Sequence, residues 1–181
     1  MLENNFNELY VEYRVVFMIL VVDVFYNDEG AKSVAGVFEN WGSQHFYKTY
    51  EINIGNVEDY VPGQFYKREL PCILSVLEIV EEEYEYILID GHVFLGAESK
   101  AGLGKHLWDA LAINKPIIGV AKNYFKDTPE DCVVLRGKSQ KPLYITSIDI
   151  PLNIAKENIM QMYGNHRIPN LIKQIDLKSR S

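Results

Sequence analysis

The apolar positions of this chain fall into two rhythms, unbroken runs and helical stripes, and their order sets the expected fold. Residues 15–24 are apolar throughout and largely β-branched until Asp23 interrupts them, the pattern of a central strand buried on both faces. Turn formers Asn27, Asp28, Glu29 and Gly30 follow. Residues 32–41 and 45–54 then carry strand-type composition on either side of Gly42 and Ser43. Together the three segments predict an antiparallel meander.

Beyond the Pro62-Gly63 turn the rhythm changes. Leu70, Ile73, Leu74, Leu77 and Val80 recur at helical spacing and predict an amphipathic helix over residues 66–82 with its stripe against the sheet. A short apolar strand over 84–90 ends in a carboxylate, 102–113 reads as a helix, and 116–121 as another buried strand. Two crossovers of this kind imply parallel strands. Residues 132–135 and 143–147 read as further short strands, 151–163 as a helix opened by Pro151, and 170–178 as a terminal helix. The predicted class is α/β: a mixed central sheet, built from a three-stranded antiparallel meander plus parallel strands and flanked by helices. That is the element order of a ribonuclease-H-like fold.

Composition narrows the class without changing it. A length of 181 residues fits one domain spanning 1–181, and 48% hydrophobic with 24% charged residues is enough to fill its core. The longest apolar run, residues 15–22, is far short of the roughly 20 residues that cross a bilayer. The first ten residues lack the basic and apolar regions of an export signal. No membrane association is expected, and the cytoplasm is the expected compartment. Cys72 and Cys132 are too few for a disulfide framework and read as buried thiols. A net charge of −7 argues against broad electrostatic grip on nucleic acid. It leaves room for a small footprint centred on metal ions.

The candidate chemistry lies at strand ends. Asp23 closes the first strand and Asp90 the fourth, each after a buried apolar run. As neighbouring parallel strands they would present both carboxylates at one carboxyl edge, where α/β sheets place their sites. Such neighbours repel unless a positive charge separates them. Glu69, in the first turn of the intervening helix, can point to the same edge. Three hard oxygen donors with open positions suit Mg²⁺, with Mn²⁺ substituting. Lys122, following the strand over 116–121, would bring a cation there to stabilise phosphorane charge or to hold the acids. Without further signals, helix-start and turn carboxylates explain the same spacing.

Four ordered segments between Val15 and Arg167 resemble the endonuclease V family, nucleases acting at deoxyinosine in DNA and inosine in RNA. The first, Val22-Asp23-Val24-Phe25-Tyr26, is similar to the family's metal-binding aspartate with its trailing aromatic. The second, Tyr60-Val61-Pro62-Gly63-Gln64-Phe65-Tyr66-Lys67-Arg68-Glu69-Leu70-Pro71, resembles the strand-separating wedge and the catalytic Arg-Glu pair. The third is Ile87-Leu88-Ile89-Asp90-Gly91-His92, similar to the strand whose aspartate binds metal and whose nearby backbone lines the base pocket. The fourth, Pro116-Ile117-Ile118-Gly119-Val120-Ala121-Lys122, matches the strand with the active-site lysine. The resemblance implies a Mg²⁺-dependent cut on the 3′ side of a deaminated purine. Asp23, Glu69 and Asp90 would then hold metal, and Lys122 would stabilise charge. Tyr60, Pro62, Gly63 and Gly91 would contact nucleic acid, either DNA or RNA, and the protein is expected to be a monomer.

The chain also departs from the family. Val93 stands where a second glycine is usual, and Gly96 where a histidine is. Near the C-terminus the family's histidine close to the metal is replaced by Thr146-Ser147-Ile148-Asp149-Ile150-Pro151. Asp149 is accordingly expected to complete the metal site, the alternative being a helix cap before Pro151. His166 reads as a surface residue. His106 follows a Gly-Leu-Gly turn as a family histidine does, or simply packs its helix. Two other functions remain compatible with these residues: a ribonuclease-H-like nuclease of changed specificity, and a nucleic-acid-binding homologue without catalysis.

Overall fold

The computed structural model describes residues 17–55, 57 and 63–181. The chain opens with the expected meander: β1 (Met18–Asn27), β2 (Gly30–Phe38) and β3 (Lys48–Ile54), successive neighbours being antiparallel. Helix α1 (Phe65–Leu77) leads to β4 (Tyr84–Ile89). A small hairpin of β5 (Phe94–Leu95) and β6 (Lys100–Ala101), not anticipated from the sequence, precedes α2 (Leu103–Ala110) and β7 (Ile117–Ala121). The chain closes with β8 (Val133–Val134), β9 (Leu143–Ile148), α3 (Leu152–Gln161) and α4 (Asn170–Ser179).

The main sheet runs β3-β2-β1-β4-β7-β9-β8. β1, β4 and β7 are parallel to one another, while β9 pairs antiparallel to β7, Ile117 facing Ile148 and Ala121 facing Tyr144. α1 ends at Leu77, five residues before its predicted limit. Glu81, Glu82, Glu83 and Glu85 follow, and negative charge is unfavourable at the negative end of a helix dipole.

The uninterrupted apolar runs have a direct structural reason. On β1, Ile19 and Val21 pack into the layer under α3 and α4, while Met18, Leu20 and Val22 pack into the layer under α1 and α2. Leu88 of β4, together with Ile118 and Val120 of β7, joins the first layer; Ile87, Ile89 and Ile117 join the second. Side chains alternate along a strand. Asp23, Asp90 and Lys122, next in register after Val21, Leu88 and Val120, therefore lean toward α4, which packs on β1 and β2. The sheet thus fixes their face as well as their edge.

Two arginines, Arg136 buried and Arg167 half-buried, hold the ends of this framework. Arg136 gives its guanidinium to the carbonyls of Ile159, Met162 and His166, fixing the exit of α3. Arg167 donates to the carbonyls of Lys122 and Pro142 and so pins the backbone that follows β7. Burying a cation without an acid partner is tolerated here because its donors meet carbonyls.

Candidate metal centre at the carboxyl edge of the sheet

Asp23, Asp90 and Asp176 each offer a carboxylate oxygen, and the three oxygens lie within 4.8 Å of one another. Asp23 and Asp90 arrive from β1 and β4 as the sequence implies. Asp176 arrives from α4, and the sequence reading missed it. A signal existed: Leu171, Ile172, Ile175, Asp176 and Ser179 are the buried residues of α4. An acid and a serine on a helix's apolar stripe call for partners.

Ser179 is the second missed residue. Its hydroxyl donates to Asp23 Oδ2 at 2.6 Å and lies 2.9 Å from the Asp176 carbonyl oxygen, while only 1% of its surface is exposed. It ties the last turn of α4 to β1 just past Val22, where pairing with β4 stops; Asp23 does not close the strand as expected, because pairing with β2 carries β1 on to Asn27. Burial, aided by the charge of Asp90, raises the Asp23 carboxyl above its ordinary value, against this hydrogen bond.

Lys122 bridges two of the acids, with Nζ 2.6 Å from Asp90 Oδ2 and 3.4 Å from Asp176 Oδ1. Burial alone would lower its pKa, but the bond and charge of Asp90 hold it above the usual lysine value. Asp176 also receives Lys173 Nζ at 3.0 Å and Arg180 Nη2 at 3.0 Å. Burial would raise its carboxyl; the bonds from Arg180 and Lys173 instead hold it at about 2.

Glu69 enters from α1, on the other side of the sheet, and lines the same cleft of about 380 Å³ as Asp23, Asp90, Gly91 and Lys122. It is 5% exposed, and its Oε2 finds no hydrogen-bond partner among the described residues. Burial, then the charges of Asp23 and Asp90, push its pKa up to about 8. A divalent cation fits this set: hard oxygen donors, mutual repulsion, and one buried oxygen without a partner.

The pKa of Glu69 gives a testable sign. A folded-state pKa raised from 4.5 to about 8 contributes stability fully present below pH 4.5 and lost as pH rises through 8. In chelator, the melting temperature is therefore expected to fall between these pH values. Saturating Mn²⁺ should offset the fall most at pH 8, where the carboxylate is free to bind. A flat profile in chelator would contradict a buried, unpaired Glu69.

Asp149 is not at this centre. Because β9 runs antiparallel to β7, its carboxyl end lies beside Ile117, at the opposite edge of the sheet from Lys122. Asp149 is exposed, has φ of 59°, and accepts the indole Nε1 hydrogen bond of Trp108 at 2.6 Å. It does not cap α3 either, since the N-cap is Pro151, with no side-chain cap bond.

The other expected residues divide. Gly91 follows Asp90 with φ of 154°, a conformation that favours glycine, and lines the cleft. Gly63 is exposed with φ of 77°, beside the start of α1. Tyr60 and Pro62 lie outside the described residues. His166 is exposed, whereas the His106 ring stacks on Tyr66 with centroids 3.6 Å apart. Val93 is fully buried: its amide donates to Thr146 Oγ1 at 2.7 Å, and its side chain packs in the α1/α2 layer. A Cβ on Gly104 would come within 2.7 Å of Val93 Cγ2, so the valine occupies space that glycine leaves. Val93→Gly should cost on the order of 3 kcal/mol, as other large-to-small core changes do, measurable by urea unfolding. A cost under roughly 1 kcal/mol would mean that the loop collapses onto the gap.

The meander, the parallel β1, β4 and β7, and the acids at their carboxyl edge define a ribonuclease-H-like protein. Within that class, residues 3–132 match the family model for endonuclease V, and the chain belongs to the endonuclease V family. Endonuclease V of Pyrococcus abyssi is 34% identical over 128 residues, 71% of this chain and 63% of that protein. Endonuclease V of Nostoc punctiforme is 30% identical over 65% of this chain and 61% of its own length. The chain thus spans less than two thirds of these curated relatives. Among solved structures, human endonuclease V superposes with a TM-score of 0.73 at 19% identity, covering 91% of this chain and 83% of that one. Ciona intestinalis endonuclease V, solved with DNA containing an inosine, gives 0.73 at 21% identity over 91% and 84%. Among the described residues no helix is long and apolar enough to cross a membrane.

Proposed function

We propose that this protein is a divalent-metal-dependent endonuclease that cuts DNA or RNA on the 3′ side of a deaminated purine, acting as a monomeric, cytoplasmic repair enzyme. The observation that carries the reading is the convergence of Asp23, Asp90 and Asp176 beside a buried, partnerless Glu69 oxygen. Family membership and the inosine-containing complex of the Ciona relative support the substrate class.

Asp23, Asp90 and Asp176 would hold Mg²⁺, or Mn²⁺ in its place, with Glu69 holding the ion or its water. The ion would supply Lewis acidity and an activated water for attack on phosphorus. Glu69, ionised, is placed to accept a proton from that water. Lys122 stands over Asp90 with its ammonium half-buried, where it can offset charge on the phosphoryl oxygens. The water oxygen would bond to phosphorus as the P–O3′ bond breaks, and the departing O3′ would take a proton from solvent, leaving a 3′-hydroxyl and a 5′-phosphate. Ser179 acts through Asp23 by fixing the rotation of its carboxylate.

Two measurements test these roles. Cleavage of an oligonucleotide with one inosine is expected in Mg²⁺ or Mn²⁺, absent in chelator, and slow on the inosine-free control. Cutting both alike would favour a nuclease of changed specificity, and no cutting in Mn²⁺ a binding protein. In the same assay, Ser179→Ala should raise the half-saturating Mn²⁺ concentration by roughly 10–100-fold with a smaller change in maximal rate. An unchanged metal requirement would leave Ser179 as packing only. For the wedge carried by Tyr60 and Pro62, Tyr60→Ala is expected to slow cutting of duplex more than of single strands. Only the duplex requires unstacking, which costs a few kcal/mol. Equal losses would argue against strand separation.

A further inference from the structure

One aspartate in the cluster has more cations than it needs. Asp176 accepts from Lys122 and Arg180 on Oδ1 and from Lys173 on Oδ2. Asp23, Asp90 and Asp176 are therefore matched one for one by Lys122, Lys173 and Arg180 without any ion. Glu69 adds one negative charge when ionised, so a divalent ion would leave this corner one unit positive. One phosphodiester neutralises that excess. The question is which cation meets it.

Lys122 is held by Asp90 at 2.6 Å, and Lys173 is not among the residues lining the cleft. Arg180 differs from both. It follows the last residue of α4, its side chain is 52% exposed, and its guanidinium lies 4.9 Å from the Phe25 ring centroid. It lines the acid cleft and also an adjoining groove of about 430 Å³ bordered by Phe25, Asn27, Lys32 and Asn53. The two spaces meet at this side chain. A guanidinium resting on an aromatic face turns its fork of donors outward at the edge, the geometry suited to phosphate oxygens; Nε and Nη2 of that fork are held here by Asp176 Oδ1. An ion drawing on Asp176 Oδ1 would weaken the bonds that now hold Arg180 inward, while the Phe25 ring would keep it in place.

We propose that Arg180 is a phosphate clamp: it grips a phosphodiester flanking the cut one, where the strand passes from the acid cleft into the Phe25–Lys32 groove. This rests on the nuclease reading and extends it to the path of the strand.

The test is binding, with cleavage disabled by Glu69→Gln and Mn²⁺ present. Anisotropy of a labelled single-stranded, inosine-containing oligonucleotide is followed against KCl concentration. Adding Arg180→Gln should weaken binding about tenfold and reduce the slope of log affinity against log salt by about 0.7, the release of one phosphate contact. Arg180→Lys should keep most of the slope while losing affinity, because charge remains without the fork. Lys173→Gln removes an equal charge from Asp176 and should leave the slope as it is. Calorimetric Mn²⁺ binding should persist in Arg180→Gln. An unchanged slope in Arg180→Gln overturns the clamp, as does an equal loss in Lys173→Gln, which would reveal a general field. If the Glu69→Gln protein binds no oligonucleotide while its fold and Mn²⁺ binding are intact, the nuclease reading itself fails and the clamp with it.

Discussion

Replacing Glu69 by Gln is expected to slow cleavage by on the order of 10²–10⁴-fold while making the metal-free protein more stable. The two effects share a cause. Glu69 is buried beside Asp23 and Asp90, and its ionised form is disfavoured by all three features. An amide of the same shape carries no charge to repel, so at pH 8 the substitution should raise the midpoint of thermal unfolding in chelator. The same amide cannot accept a proton from water and is a weaker metal donor. Loss of activity together with loss of stability would instead mark Glu69 as a residue that packs α1.

The second large effect separates the two late aspartates. Asp176→Asn is expected to raise the Mn²⁺ concentration for half-maximal cleavage at least tenfold, whereas Asp149→Asn should leave it unchanged. Asp176 stands within 4.8 Å of two other carboxylates, while Asp149 is exposed at the far edge and bonded to Trp108. Some loss of stability should accompany Asp176→Asn, because Lys122, Lys173 and Arg180 would lose their shared anion. Titrating Mn²⁺ separates that loss from the metal effect. A requirement that shifts with Asp149 and not with Asp176 would mean that β9 delivers its carboxyl end to the other edge.

That contrast shows what the sequence carries and what it does not. The apolar runs of β1, β4 and β7 declare strands buried on both faces, and the charge that ends each run, or directly follows it, marks the edge of the sheet. Parity along those strands even dictates the face to which Asp23, Asp90 and Lys122 turn. A strand's direction relative to its neighbour is not written in its own residues. β9 has the composition of a buried strand whichever way it runs, so its own residues do not say to which edge Asp149 is delivered. Its true direction follows from long-range pairing with β7 and β8. Asp176 could have been found, since an acid among Leu171, Ile172 and Ile175 has no reason to sit on an apolar stripe unless something receives it. Ser179, one turn further on the same stripe, carries the same signal; Arg180 does not, because it is exposed and its partner Phe25 lies more than 150 positions earlier. Val93 was a departure from a family pattern in the sequence; in the fold it is a core residue.

The central claim is that four acids from β1, α1, β4 and α4 form one divalent-metal site, and a crystal soaked in Mn²⁺ tests it most directly. An anomalous peak is expected among Asp23, Asp90 and Asp176, at about 2.0–2.6 Å from their oxygens, with Glu69 on the ion or on its water and Lys122 displaced from at least one carboxylate. A Mn²⁺ peak elsewhere, or Lys122 still bridging Asp90 and Asp176 with no ion between the acids at millimolar Mn²⁺, would contradict it.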